Sequence, residues 1–279
     1  MRWTVTGLRA LAALGAVGLL TGLVAVAFVP GEYGYVEGPV NMLVAVLPFF
    51  ALSLYLFVRR PDHAVARLLM VTASFLCLFT GLSGELSLVE RTGGPVPLLW
   101  LQTLLLQWAA SGFGAGLAAT LIAFPDPRID DALRKWTLRA LACTWALMPL
   151  LSLLTRPSLG LERALMRPRP SGLSPLFVRS LAWLDAVPRL WLHGSDWVIV
   201  LGIVGLLIRR ERPTTPTERI QLRWMTAAGL LFGLFVTAMS AATTIGILSP
   251  ALHAAAPCLI FFPVAITISV LRHQLLDVE

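Results

Sequence analysis

A chain of 279 residues that is 57% hydrophobic and only 13% charged carries about half the charge of an ordinary soluble domain. Its apolar residues come in blocks of about twenty, the length that crosses the hydrocarbon core of a bilayer. This excludes a cytosolic enzyme, a disordered chain and a nucleic-acid-binding module, and the net charge of +7 reflects arginines in short loops rather than a basic stripe interleaved with aromatics.

The predicted fold class is all-α: one polytopic integral membrane helical bundle of about eight transmembrane helices, filling residues 1–279. The first span is expected at 8–29. Arg2 and Arg9 precede it and Ala25-Val26-Ala27 imitates a cleavage site. The apolar run is longer than a secretory signal needs, so a retained helix is expected. Further spans are expected at 40–58, 65–87, 98–124 and 136–155, separated by Pro30-Gly31, Gly38-Pro39, Gly93-Gly94-Pro95 and Pro125-Asp126-Pro127. Asp130 and Asp131 suit the start of the fifth helix, where the dipole favours negative charge.

The long loop at about 156–195 holds Arg163, Arg167, Arg169 and several prolines. It reads as an interfacial segment with Trp183 and Trp191 at headgroup depth, or as an external cap whose arginines attract an anion. The sixth span, 190–208, is interrupted by Asp196. The seventh, 222–247, follows a capping box at Thr215-Pro216-Thr217-Glu218, and the eighth, 250–271, follows Ser249-Pro250. Helices begun at Pro216 and Pro250 and carried to Leu248 and Val278 would span about 50 and 44 Å. The hydrocarbon core is about 30 Å thick. The last two helices therefore project into the cytosol.

Eight spans return the chain to its starting side. With both termini cytoplasmic, 15 basic residues fall inside and 7 outside, as insertion favours. The expected location is the inner or plasma membrane, multi-pass.

Chemistry-bearing residues are sparse. Glu85, Glu90 and His253 lie toward span ends, while Arg9, Arg67 and Arg139 lie close enough to inner ends to snorkel. His63, His193, His253 and His273 form no HExxH pattern, and Cys77, Cys143 and Cys258 have no metal-ligand spacing. No cofactor, metal or catalytic residue is expected. Gly18/Gly22, Gly112/Gly116 and Gly229/Gly233 each let two helix backbones approach. Packing within the chain is the expected use, with a homodimer the other arrangement such seams permit. Pro48, Pro149, Pro257 and Pro263 interrupt spans. Pro257 and Pro263 are candidate hinges in the last helix.

Four turn sequences carry a family resemblance. They are Arg59-Arg60-Pro61-Asp62-His63-Ala64-Val65, Phe124-Pro125-Asp126-Pro127-Arg128, Glu218-Arg219-Ile220-Gln221-Leu222-Arg223-Trp224 and Leu271-Arg272-His273-Gln274-Leu275-Leu276-Asp277-Val278-Glu279. In this order at span ends they resemble the N-terminal multi-span membrane sensor region of actinobacterial-type sensor histidine kinases, over residues 57–279. Pro127 stands where the family has glycine, and the last motif lacks its tyrosines.

The resemblance implies a membrane-embedded signal-input domain. Glu218, Arg219, Arg223, Arg272 and Asp277 would form a cytoplasmic coupling collar, with Asp126 and Arg128 tying a neighbouring loop. Expected partners are the lipid bilayer, a cytoplasmic histidine kinase module in the same longer chain or a separate one, and its response regulator. No nucleic acid and no enzymatic activity are expected of these residues themselves. A small-solute transporter or channel subunit is the alternative.

Overall fold

The computed structural model describes residues 5–28, 42–92, 98–124, 132–159, 172–188, 205, 219, 222–231, 234 and 260–274. Helix α1 is Val5–Phe28, α2 is Met42–Arg59, α3 is Ala64–Thr92, α4 is Leu99–Ala123, α5 is Ala132–Thr155 and α6 is Phe261–Gln274. Five helices among the described residues are long and apolar enough to cross a membrane. They coincide with the first five expected spans. The sixth to eighth fall in regions described only in part.

The distribution of side chains is that of a protein in lipid. In α1 the large apolar residues Leu14, Val17, Leu20, Val24 and Phe28 face outward, while Ala12, Gly15, Gly18, Gly22 and Ala25 are buried. Lipid tails solvate leucine as well as a protein core does, so the inside is chosen by fit rather than by hydrophobicity. Polar side chains are correspondingly inside. The hydroxyls of Ser53, Thr72, Ser74 and Thr120 donate to the carbonyls of Phe49, Leu68, Met70 and Gly116, four residues back, at 2.6–2.9 Å. Each is satisfied within its own helix, as a bilayer interior requires.

Helices α1 and α3 pack most extensively, followed by α3 with α4. The α1–α3 seam joins Gly15 to Ser74, Gly18 to Cys77 and Leu78, Gly22 to Thr80 and Gly81, and Ala25 to Gly84. Both numbers rise together, so the two helices run parallel. Their small residues recur at alternating spacings of three and four, a stripe that stays on one helix face. A β-carbon on Gly18 would lie 2.7 Å from the Cys77 carbonyl oxygen, so the backbones are in direct contact. Gly112 meets Phe75 and Gly116 meets Thr72. There the numbers run oppositely, making α4 antiparallel to α3. Two of the three glycine pairs thus serve packing within the chain. Of the third, Gly229 is buried and Gly233 lies outside the described residues.

Prolines are accommodated locally. A five-residue π turn, Met42–Val46, opens α2 just before Pro48, whose missing N–H removes one donor from the regular α-helical ladder there. Pro149 lies inside α5. Next to the position it disturbs, the Trp108 indole donates to the Ala146 carbonyl at 3.3 Å, and the Trp145 indole donates to the Trp108 carbonyl at 3.0 Å.

The segment after α5 adds a short feature to the helical fold. Ser158–Leu159 and Gly172–Leu173 form a two-residue antiparallel ladder, with Ser158 opposite Leu173 and Leu159 opposite Gly172. A 3₁₀ helix, Arg179–Asp185, then packs on α5. Trp183 on it is 75% exposed. Trp191 lies outside the described residues.

Candidate functional site

Charged residues gather at one end of the bundle, where α2 ends, α3 begins, α4 ends and α5 begins. Leu68, Ile122 and Leu138 belong to one apolar cluster and bring the last three of these termini together. The end of α2 joins them through the turn Arg60–His63. The turn is held by Arg60 N–H on the Leu56 carbonyl at 2.9 Å and His63 N–H on the Arg60 carbonyl at 3.1 Å. Arg67 clasps it from α3. Its Nε donates to the Pro61 carbonyl at 2.5 Å and its guanidinium pairs with Asp62 at 3.0 Å. Arg59 stacks over Tyr55 at 5.6 Å.

His63 is the buried member of this turn, although its neighbours are charged and two of them are arginines. Its Nδ1 has no hydrogen-bond partner among the described residues. Burial, and secondarily the Arg60 charge, hold its pKa below the ordinary histidine value of 6.5. The folded chain therefore favours neutral imidazole, whereas the unfolded chain takes up the proton more readily. The resulting stability is complete above the ordinary value and is lost as pH falls toward and through the lowered one. Thermal unfolding in detergent should show a melting temperature that drops between about pH 7.5 and 5. His63→Gln should flatten that dependence, and a variant as pH-sensitive as the wild type would refute the assignment.

The expected collar is placed only in part. Arg219 and Arg223 are exposed and four residues apart, Arg223 within the helical stretch 222–231 and Arg219 just ahead of it. Leu222 and Met225 from that stretch, and Ile266 from α6, are fully buried and belong to the core cluster built by α1, α2, α3 and α4. Helix α6 also packs on α2. Pro263 is buried in the first turn of α6. A first-turn proline gives up no intrahelical bond within the described helix. Arg272 lies in the last turn of α6, and only its backbone is described. Glu218, Asp277, Asp126, Arg128 and Pro257 lie outside the described residues.

Three features escaped the sequence reading. One is the burial of His63. Another is a buried ion pair at the opposite end, where Arg156 Nε meets Asp185 Oδ1 at 2.8 Å with side chains 5% and 15% exposed. The third is Gln107, within α4, whose amide oxygen and nitrogen are buried without a hydrogen-bond partner among the described residues. Thr103 and Ser111, one turn to either side, are also buried. Among the described residues no group of three or more His, Cys, Asp and Glu side chains could hold a metal ion.

No protein family, curated protein or solved structure matches this chain.

Proposed function

We propose that the chain is a membrane-embedded signal-input domain that relays an envelope or ligand signal through its last two spans to a cytoplasmic histidine kinase module, and thence to a response regulator. The observation that carries the reading is the shared core. Leu222, Met225 and Ile266 from the last two expected spans are packed into the cluster formed by α1–α4. A shift in bundle packing is therefore felt by the helices that lead away from it. Such a shift is a population change between two arrangements, driven by whatever binds one of them better.

In this reading the bundle has eight spans with both termini cytoplasmic. Glu218, Arg219, Arg223, Arg272 and Asp277 form the coupling collar, Asp126 and Arg128 tie the adjacent loop, and Pro257 and Pro263 supply bending points. The charged end described above faces the cytosol, as the positive-inside bias favours. Cysteines introduced at Arg60 and at Trp183, in a background lacking Cys77, Cys143 and Cys258, check the orientation. An impermeant maleimide should reach Trp183→Cys from outside the cell and Arg60→Cys only after lysis. The reverse pattern would overturn it.

The functional test is autophosphorylation of the native-length protein with its kinase module in vesicles, with and without the membrane region. Met225→Ala, Ile266→Ala and Pro263→Ala should each change kinase output several-fold while membrane insertion is unchanged. Unaltered output in all three would count against relay through these helices.

Gln107 favours a second reading, a small-solute transporter or channel subunit. Its buried amide has no hydrogen-bond partner among the described residues, and an amide left so loses its bonds to water at a cost of about 1–3 kcal/mol. In the signal-input reading Gln107→Leu removes that cost and raises the melting temperature without loss of output. In the transport reading the same variant abolishes solute uptake into vesicles.

A further inference from the structure

The outward face of α5 changes character along its length. Lys135, Trp136 and Arg139 are exposed in its first two turns, and Cys143, Leu147 and Leu150 continue the same exposed face toward its other end. From Trp136 onward, spacings of three and four residues keep these positions in one column. Trp136 is 67% exposed, and the Arg139 guanidinium lies over its ring at 5.4 Å. A guanidinium stacked on an aromatic face keeps its N–H edge available for the paired oxygens of a carboxylate or phosphate.

We propose that this column is a binding site for one anionic phospholipid. Its phosphodiester is held by Arg139, its glycerol level is marked by Trp136, and its acyl chain lies along Cys143, Leu147 and Leu150. The occupant follows from charge complementarity and from the order of the column. Cations and an indole are followed by uncharged groups, in the sequence that a lipid presents from headgroup to tail. A soluble phosphate or a nucleic acid has no use for the apolar half. Two acids, Asp130 and Asp131, precede the helix in sequence. The preference therefore rests on the exposed Arg139 stacked over Trp136 rather than on the net charge of the region. The proposal depends on the membrane placement of α5 and is independent of signalling.

The test uses the full chain in vesicles of phosphatidylcholine doped with phosphatidylglycerol brominated at the glycerol end of its acyl chains or, at equal fraction, phosphatidylcholine brominated at the same positions. Bromine quenches tryptophan on contact. The share due to Trp136 is the difference between each protein and its Trp136→Phe counterpart. That share should be quenched at least about twofold more by the anionic lipid, and about 0.5 M salt should reduce the preference. Arg139→Gln should bring the ratio close to one, and Arg139→Lys should retain most of it. Equal quenching by the two lipids in the wild type, or an unchanged ratio in Arg139→Gln, would overturn the site. Quenching by neither lipid would overturn the membrane placement itself. The salt series on the wild type makes the same distinction without relying on a variant.

Discussion

Gly18→Val is expected to separate α1 from α3 and to lower the stability of the bundle by at least about 3 kcal/mol, the upper end of the usual cost of overpacking. The β-carbon alone would meet the Cys77 carbonyl oxygen at 2.7 Å and the Leu78 α-carbon at 2.9 Å. These are backbone atoms of a helix, so no rotamer change can make room. Gly81 is placed against the Gly18 backbone from the other side, and Gly81→Val should be as damaging. Two controls isolate the cause. Gly22→Ala meets the tip of the flexible Met42 side chain and should cost less. Gly205→Ala has nothing within 4 Å of the added carbon and should cost nothing. Unfolding by a denaturing detergent, followed by helical circular dichroism, ranks the four. A Gly18→Val protein as stable as the Gly205→Ala protein would show that the seam is not tightly closed.

The second large effect belongs to the opposite end. Asp185→Ala should cost about 3 kcal/mol, because it removes a carboxylate from a guanidinium that stays largely out of water. The loss should be local. Beyond the ion pair, the segment after α5 is tied by the Ser174 N–H on the Pro157 carbonyl at 3.0 Å, the Val178 N–H on the Leu154 carbonyl at 2.9 Å, and the Ser174 hydroxyl on the Leu153 carbonyl. Amide hydrogen exchange should therefore accelerate across residues 174–188 and remain slow in α3 and α4. The conservative Asp185→Glu should recover part of the protection. Uniform acceleration through all helices would mean that the pair supports the whole bundle rather than its end.

The five helices were legible because apolar length and turn residues act locally. Their described ends differ from the expected spans by at most about five residues, where ends normally shift by a few. The differences have a cause. Helix α3 runs on to Thr92, past the expected end at 87, and stops short of Gly93-Gly94-Pro95. Helix α5 starts at Ala132 because its first turns carry Arg134, Lys135 and Arg139, which are helical but not apolar. Apolar runs mark the edge of the lipid, and backbone hydrogen bonding continues beyond it.

The packing was legible only from one side. Gly18 and Gly22 announce a close approach in α1, yet their partner surface on α3 is Ser74, Cys77, Gly81 and Gly84, which spells no motif. His63 was obscured by the charged residues around it. Arg156 and Asp185 are joined by the folding back of the chain after α5, which depends on tertiary contacts that no local pattern encodes. The collar residues rest on turn sequences at span ends, and those turns place them at ends without specifying their contacts.

The parallel contact between α1 and α3 also has a consequence for synthesis. Helix α1 emerges from the ribosome before α3, so its glycine face has nothing to rest on until Gly84 has followed some sixty residues behind. Insertion and assembly of the first helix are therefore separate events, and in the interval its smallest residues are turned toward lipid or toward the insertion machinery. A chain truncated before residue 74 would cross the membrane and wait there with its seam open.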